Sequence, residues 1–180
     1  MGAETNLDGG KGSEFSDIPG FAAKRFDSLS RKTGRGLILY SRLGIDIYNV
    51  EILQQDNLEV VQFSASLLNN DIKIIFLYRS LQHPISKFKQ DLQQILQDNC
   101  HQRNLLILGD FNEEDNVIDD ASFVQLIDAP TVSGIKGSRI DHAYARLPDF
   151  KCSGHVLYKC FVKSYHHPIC VNLQSCSDNQ

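Results

Sequence analysis

No stretch of the sequence has the roughly 20 consecutive apolar residues that a membrane-spanning helix needs, so no membrane partner is expected. The segment Met1 to Phe15 is polar and glycine-rich, without the apolar core of a secretory signal or the arginine-rich pattern of a transit peptide. A CxxC pair is also lacking. The five cysteines, an odd number, fit reduced thiols in a nuclear or cytoplasmic protein rather than a disulfide frame or zinc site. There is no surplus of basic residues either. The formal net charge of −4 argues against a generic, charge-driven nucleic-acid binder. It leaves room for a nuclease whose local positive charge is a bound metal ion. Neither repeats, low-complexity tracts nor linkers divide the 180 residues, a length of about one domain. One domain over 1–180 is expected, monomeric, with 1–16 as a flexible end.

What the sequence does have is centred on Leu105-Leu106-Ile107-Leu108-Gly109-Asp110-Phe111-Asn112. Four apolar residues read as a buried strand that Gly109 breaks. Asp110 and Asn112 then stand where a rigid core strand emerges toward solvent. A carboxylate there can bind a metal or take a proton from water, and an amide can donate to a phosphate oxygen. Two residues apart on an extended backbone, they point the same way. An ordinary Asx turn after a strand fits the same residues.

Around this stretch, strands are read over 36–41, 45–52 (with a slip in the alternation near Tyr48), 58–64 and 72–78, spaced as in an antiparallel sandwich. Pro84 opens a helix whose apolar stripe is Ile85, Phe88, Leu92, Ile95 and Leu96. A short helix is read over 121–127, and further strands over 140–145, 154–162 and 169–173. Residues 17–33 read as irregular surface connection. The fold class is α/β: two packed, mostly antiparallel β-sheets flanked by helices, a four-layer sandwich with its site at one edge.

Five separated segments carry chemistry: Glu4-Thr5, Tyr78-Arg79, Gly109 to Asn112, Ser138-Arg139-Ile140-Asp141-His142, and Ser164-Tyr165-His166-His167-Pro168-Ile169. Their polar members fall at strand ends. Phosphodiester hydrolysis needs such a set: a metal to neutralise phosphate, a base for water, donors for developing charge, and a carboxylate to orient a histidine.

In this order the motifs resemble those of the endonuclease/exonuclease/phosphatase superfamily, and most closely the endonuclease domains of non-LTR retrotransposons. The resemblance implies that Asp110 activates water, Asn112 holds a phosphate oxygen and Tyr78 hydrogen-bonds the scissile phosphate. It implies that Glu4 binds Mg2+ (or Mn2+), with His166 the catalytic histidine and Asp141 its orienting carboxylate. His167 falls on a variable position. His142 points to the opposite face of its strand and reads as structural; His83, His101 and His155 read as surface residues. Arg79, Arg139 and Lys163 flank the motifs and are placed to touch the DNA backbone, or else are solvated cations.

Two features depart from the family pattern. A strand bearing a metal-site Asn normally precedes the Glu-Thr pair, whereas this chain begins three residues before Glu4, so an N-terminally truncated version of the fold is expected. Tyr165 replaces the Asp that normally precedes the final His. Weak metal binding follows from both. The expected function is metal-dependent DNA endonuclease, with a nick that primes reverse transcription. Two alternatives stay open: a phosphatase on a small phosphoester, and a domain that folds and binds DNA weakly without cutting.

Overall fold

The computed structural model describes residues 2–3, 18–26, 37–55, 57–67, 70–133, 137–158 and 165–176. Glu4, Lys163 and Ser164 lie outside them. In chain order the elements are β1 (Gly2–Ala3), β2 (Phe21–Phe26), β3 (Leu37–Arg42), β4 (Ile47–Gln55), β5 (Leu58–Leu67) and β6 (Asn70–Arg79). Then come α1 (Ile85–Asp98), β7 (Leu105–Asp110), β8 (Val124–Gln125), β9 (Asp141–Arg146), β10 (Phe150–Val156) and β11 (Ile169–Ser175).

A six-stranded sheet in the order β4-β5-β6-β7-β9-β8 forms the centre. Its strands run antiparallel except β6 and β7, which are parallel. Parallel neighbours need a crossover, and α1 supplies it. The alternation of β6 shows why its sequence is almost continuously apolar: both faces are buried. Ile75 and Leu77 pack with Leu58, Val60, Leu105 and Ile107 beneath Phe88, Leu92 and Ile95 of α1. On the other face Ile74, Phe76 and Tyr78 pack with Val61, Phe63 and Leu106 against Phe26, Leu37 and Leu39, and Phe150 extends this core. The second layer is thus β1-β3-β2 together with the β10-β11 hairpin. Among the described residues it forms two hydrogen-bonded pieces, and α1 is the one α-helix.

Several local expectations need correction. Residues 21–26, read as irregular, form β2, paired with β3 from Phe21↔Arg42 to Phe26↔Leu37. Only Phe26 of this strand is buried, so no alternating pattern marked it. The helix over 121–127 does not form; that stretch carries a turn and then the two-residue β8, whose Val124 pairs with Ala145. Of the strand read over 154–162, residues 154–156 close β10, which begins at Phe150, Leu157 and Tyr158 follow it, and 159–162 lie outside the described residues. Gly109 does not break β7; it lies inside the strand at φ +150°, where a Cβ would stand 1.8 Å from the Leu77 carbonyl oxygen. Glycine is required by that close approach of backbone to backbone. The slip near Tyr48 is a register shift between Tyr48 and Glu51, with Asn49 at φ 50°.

Candidate active site

The register of the central sheet sets the site. Tyr78 pairs with Asp110 across β6 and β7, and Asp110 pairs with Asp141 across β7 and β9. Directly paired residues face the same side of a sheet. One row across three neighbouring strands therefore holds a phenol and two carboxylates, at the end where β6 and β7 finish and β9 begins. Tyr78 and Asp110 are buried, at 6% and 4% exposure.

His166 comes to this row from outside the sheet. Its segment is held by the stretch after Pro130: Val132 bridges to both Ser138 and His166. The His167 amide donates to the Thr131 carbonyl at 2.6 Å, and the Ser133 amide donates to the Tyr165 carbonyl at 3.1 Å. The imidazole lies between the two carboxylates. Its Nδ1 is 2.9 Å from Asp141 Oδ2, and its Nε2 is 3.9 Å from Asp110 Oδ2. A carboxylate at Nδ1 fixes the ring's orientation, favours a proton on that nitrogen and leaves Nε2 for other chemistry.

Asn112 reaches the row by a turn, not by extended backbone. It sits at φ 47°, and its amide N–H donates to Asp110 Oδ1 at 2.9 Å. The Asx turn and the functional placement are one structure. A left-handed conformation costs an L residue about 1 kcal/mol, and Asn bears it better than most. The Asn112 side-chain amide donates to the Arg79 carbonyl at 2.7 Å and lies 3.4 Å from Asp110 Oδ2.

Both arginines expected at the DNA backbone bond to the protein's own loops. Arg79 is 4% exposed, and its guanidinium donates to the carbonyls of Phe111 (2.5 Å), His83 (2.6 Å) and Asn112 (2.5 Å). Burial pulls its pKa below the ordinary arginine value, while Glu113 and Asp110 push it back up. Arg139 donates to the carbonyls of Ile127 and Glu114 and to Asn116 Oδ1, tying the loop after β7 to the start of β9.

Among the other histidines, His83 corrects the surface expectation: it is 3% exposed, with Nε2 2.9 Å from Asp91 Oδ2 on α1. His142 is fully buried, its Nε2 2.6 Å from the Glu113 carbonyl. A carbonyl only accepts, so we assign the Nε2–H tautomer, with Nδ1 receiving from Gln125 Nε2 at 3.0 Å. His101 and His155 are exposed.

Thr131 escaped the sequence reading. It is fully buried, and its Oγ1 accepts from both the Ile140 and Asp141 amides at 3.1 Å. One residue thus supports the strand bearing Asp141 and, through its carbonyl, the segment bearing His166. A single threonine after a proline carries no motif signal, because its partners lie far along the chain.

Asp110, Asp141 and His166 offer one ligand atom each, all within 4.8 Å of one another. Two carboxylates and an imidazole nitrogen suit Mn2+, and the carboxylates alone suit Mg2+.

The fold is that of an endonuclease/exonuclease/phosphatase family protein from Bacteroides thetaiotaomicron, which superposes with a TM-score of 0.64 at 14% identity, covering 87% of this chain and 76% of that one. The endonuclease domain of TRAS1, a telomere-specific non-LTR retrotransposon, superposes with a TM-score of 0.63 at 17% identity, covering 87% of this chain and 81% of that one. TDP2 of D. rerio, complexed with a single-strand DNA product, gives 0.65 at 11% identity, covering 85% and 77%. A mannosyl-6-phosphatase of Bacteroides thetaiotaomicron gives 0.65 at 14%, covering 87% and 78%. No family model and no curated protein matches the sequence.

Proposed function

We propose that this chain is a divalent-metal-dependent phosphodiesterase that nicks DNA, of the retroelement type. The observation that carries this reading is the Asp110–His166–Asp141 cluster, aligned with Tyr78 at the ends of three adjacent strands. Water attacks phosphorus in line with the leaving sugar oxygen, the new P–O bond forms as the old one breaks, and the leaving oxygen takes up a proton from solvent. Asp110 takes the proton of that water, and His166, charged and oriented by Asp141, donates to a phosphate oxygen as negative charge builds. Tyr78 and Asn112 orient the phosphate. Asp110 and Asp141 would hold the metal, with Glu4 as a further ligand by resemblance; it would supply charge neutralisation at the phosphate. DNA as substrate, the retroelement type, a monomeric state and a nuclear or cytoplasmic setting all belong to this proposal. The TRAS1 and TDP2 likenesses support the choice of DNA.

Supercoiled plasmid tests it. In Mg2+ or Mn2+ the chain is expected to convert it to the nicked form. Asp110→Ala and His166→Ala each lower the rate by about 100-fold or more, as loss of a general base or of a transition-state donor does elsewhere. His167→Ala leaves nicking in place. The phosphatase likeness supplies the second substrate class: hydrolysis of a sugar phosphate with plasmid untouched would move the assignment to a phosphatase. Silence on both overturns it.

A further inference from the structure

Arg79 uses its planar fork on three main-chain carbonyls from two separate loops. His83 belongs to the loop after β6, and Phe111 and Asn112 to the turn after β7. The lock is reciprocal: the Arg79 side chain holds the Asn112 carbonyl, and the Asn112 side chain holds the Arg79 carbonyl at 2.7 Å. The guanidinium also lies over the Phe88 ring of α1, 5.4 Å from its centroid, and 3.8 Å from Glu113. It is 4% exposed, so a phosphate in the site cannot reach it without rebuilding both loops.

We propose that Arg79 is a positioning residue for the reaction: it fixes the turn that presents Asp110 and Asn112 to the phosphate, and makes no contact with substrate. The inference rests on the phosphodiesterase reading for its kinetic arm alone. A lysine keeps the charge but supplies a point donor where three carbonyls need a fork. The Asn112 amide, held by Asp110 Oδ1, reports directly on whether the turn is fixed.

The experiment compares the wild-type chain with Arg79→Lys and Arg79→Gln by site-resolved amide hydrogen exchange and by plasmid nicking. Both variants are expected to exchange the Phe111 and Asn112 amides about tenfold faster or more, as a locally opened segment does, with Ile75 and Leu77 unchanged. The kcat of nicking falls by about 10- to 100-fold with KM held, the signature of lost alignment rather than lost binding. Four results overturn the proposal: Phe111 and Asn112 exchange as in wild type; all amides, Ile75 and Leu77 included, accelerate together; neither variant folds; KM rises alone. If the wild-type chain cuts nothing, the nuclease reading falls, and the exchange pattern by itself decides whether Arg79 holds the turn.

Discussion

The site depends on a few side chains whose partners are main-chain groups, and Thr131 is the clearest of these. Its hydroxyl oxygen accepts from two consecutive amides, Ile140 and Asp141, at the entrance to β9. Valine has nearly the same shape and no acceptor. Thr131→Val therefore leaves two donors without their partner, a cost of about 1–3 kcal/mol for buried polar groups. Asp141 is also freed to shift against His166. The expected result is a lower urea midpoint and a nicking rate reduced by about tenfold, since small misplacements of aligned groups are costly. Unchanged stability and rate in Thr131→Val would show that the hydroxyl does not hold Asp141. The same contrast explains what was legible in sequence. Asp110 stands at the end of an apolar strand, so residue type and position exposed it, while Asp141 and His166 were singled out by the resemblance of their motifs to the family's. Thr131 and the true environment of Arg79 were hidden, because a side chain bonded to distant carbonyls and amides leaves no local pattern.

At the scale of elements, strands with a sustained apolar pattern were readable, and those that are very short or almost wholly exposed were not. β6 and β7 announced themselves by apolar runs, whereas β2 has a single buried residue and β8 has two residues in all. Beside Arg139, the fully buried His142 joins β9 to the loop after β7 through the Glu113 carbonyl, stacked on Tyr144 with ring centroids 5.7 Å apart. Burial lowers the His142 pKa from its ordinary 6.5, outweighing the opposing effects of the Glu113 carbonyl and Asp141. Below about pH 6.5 the unfolded chain takes up a proton there that the folded chain refuses. Stability from this group is fully present above that pH and is lost as pH falls through the depressed folded value. A protonated Nδ1 would also confront the Gln125 amide with a second donor. The urea midpoint of the wild-type chain should thus fall between pH 7.5 and 5.5, and His142→Gln should flatten that slope while lowering stability overall. An identical slope in His142→Gln would assign the pH dependence to other groups.

For the whole molecule, the question is how an acidic chain handles a polyanion. The formal charge is −4, and the two arginines nearest the site are bonded to its own loops. On the proposed reading those two arginines then contribute little to holding the phosphate, and a divalent ion at Asp110 and Asp141 would offset its charge. The cluster is already tied together without such an ion, by the His166–Asp141 contact of 2.9 Å and the Asn112 amide on Asp110. Activity and folding should therefore respond very differently to chelation. EDTA is expected to abolish nicking and leave the far-ultraviolet circular dichroism unchanged. The stability change should be small: a site with a dissociation constant of about 1 mM, in about 5 mM metal, adds about 1 kcal/mol. For a chain of this size that shifts the melting temperature by about 2–4 °C. Unfolding in EDTA, or a shift of about 10 °C or more, would mean that the ion is part of the folding nucleus of the site. Nicking that survives exhaustive chelation would remove the metal from the proposed reaction altogether.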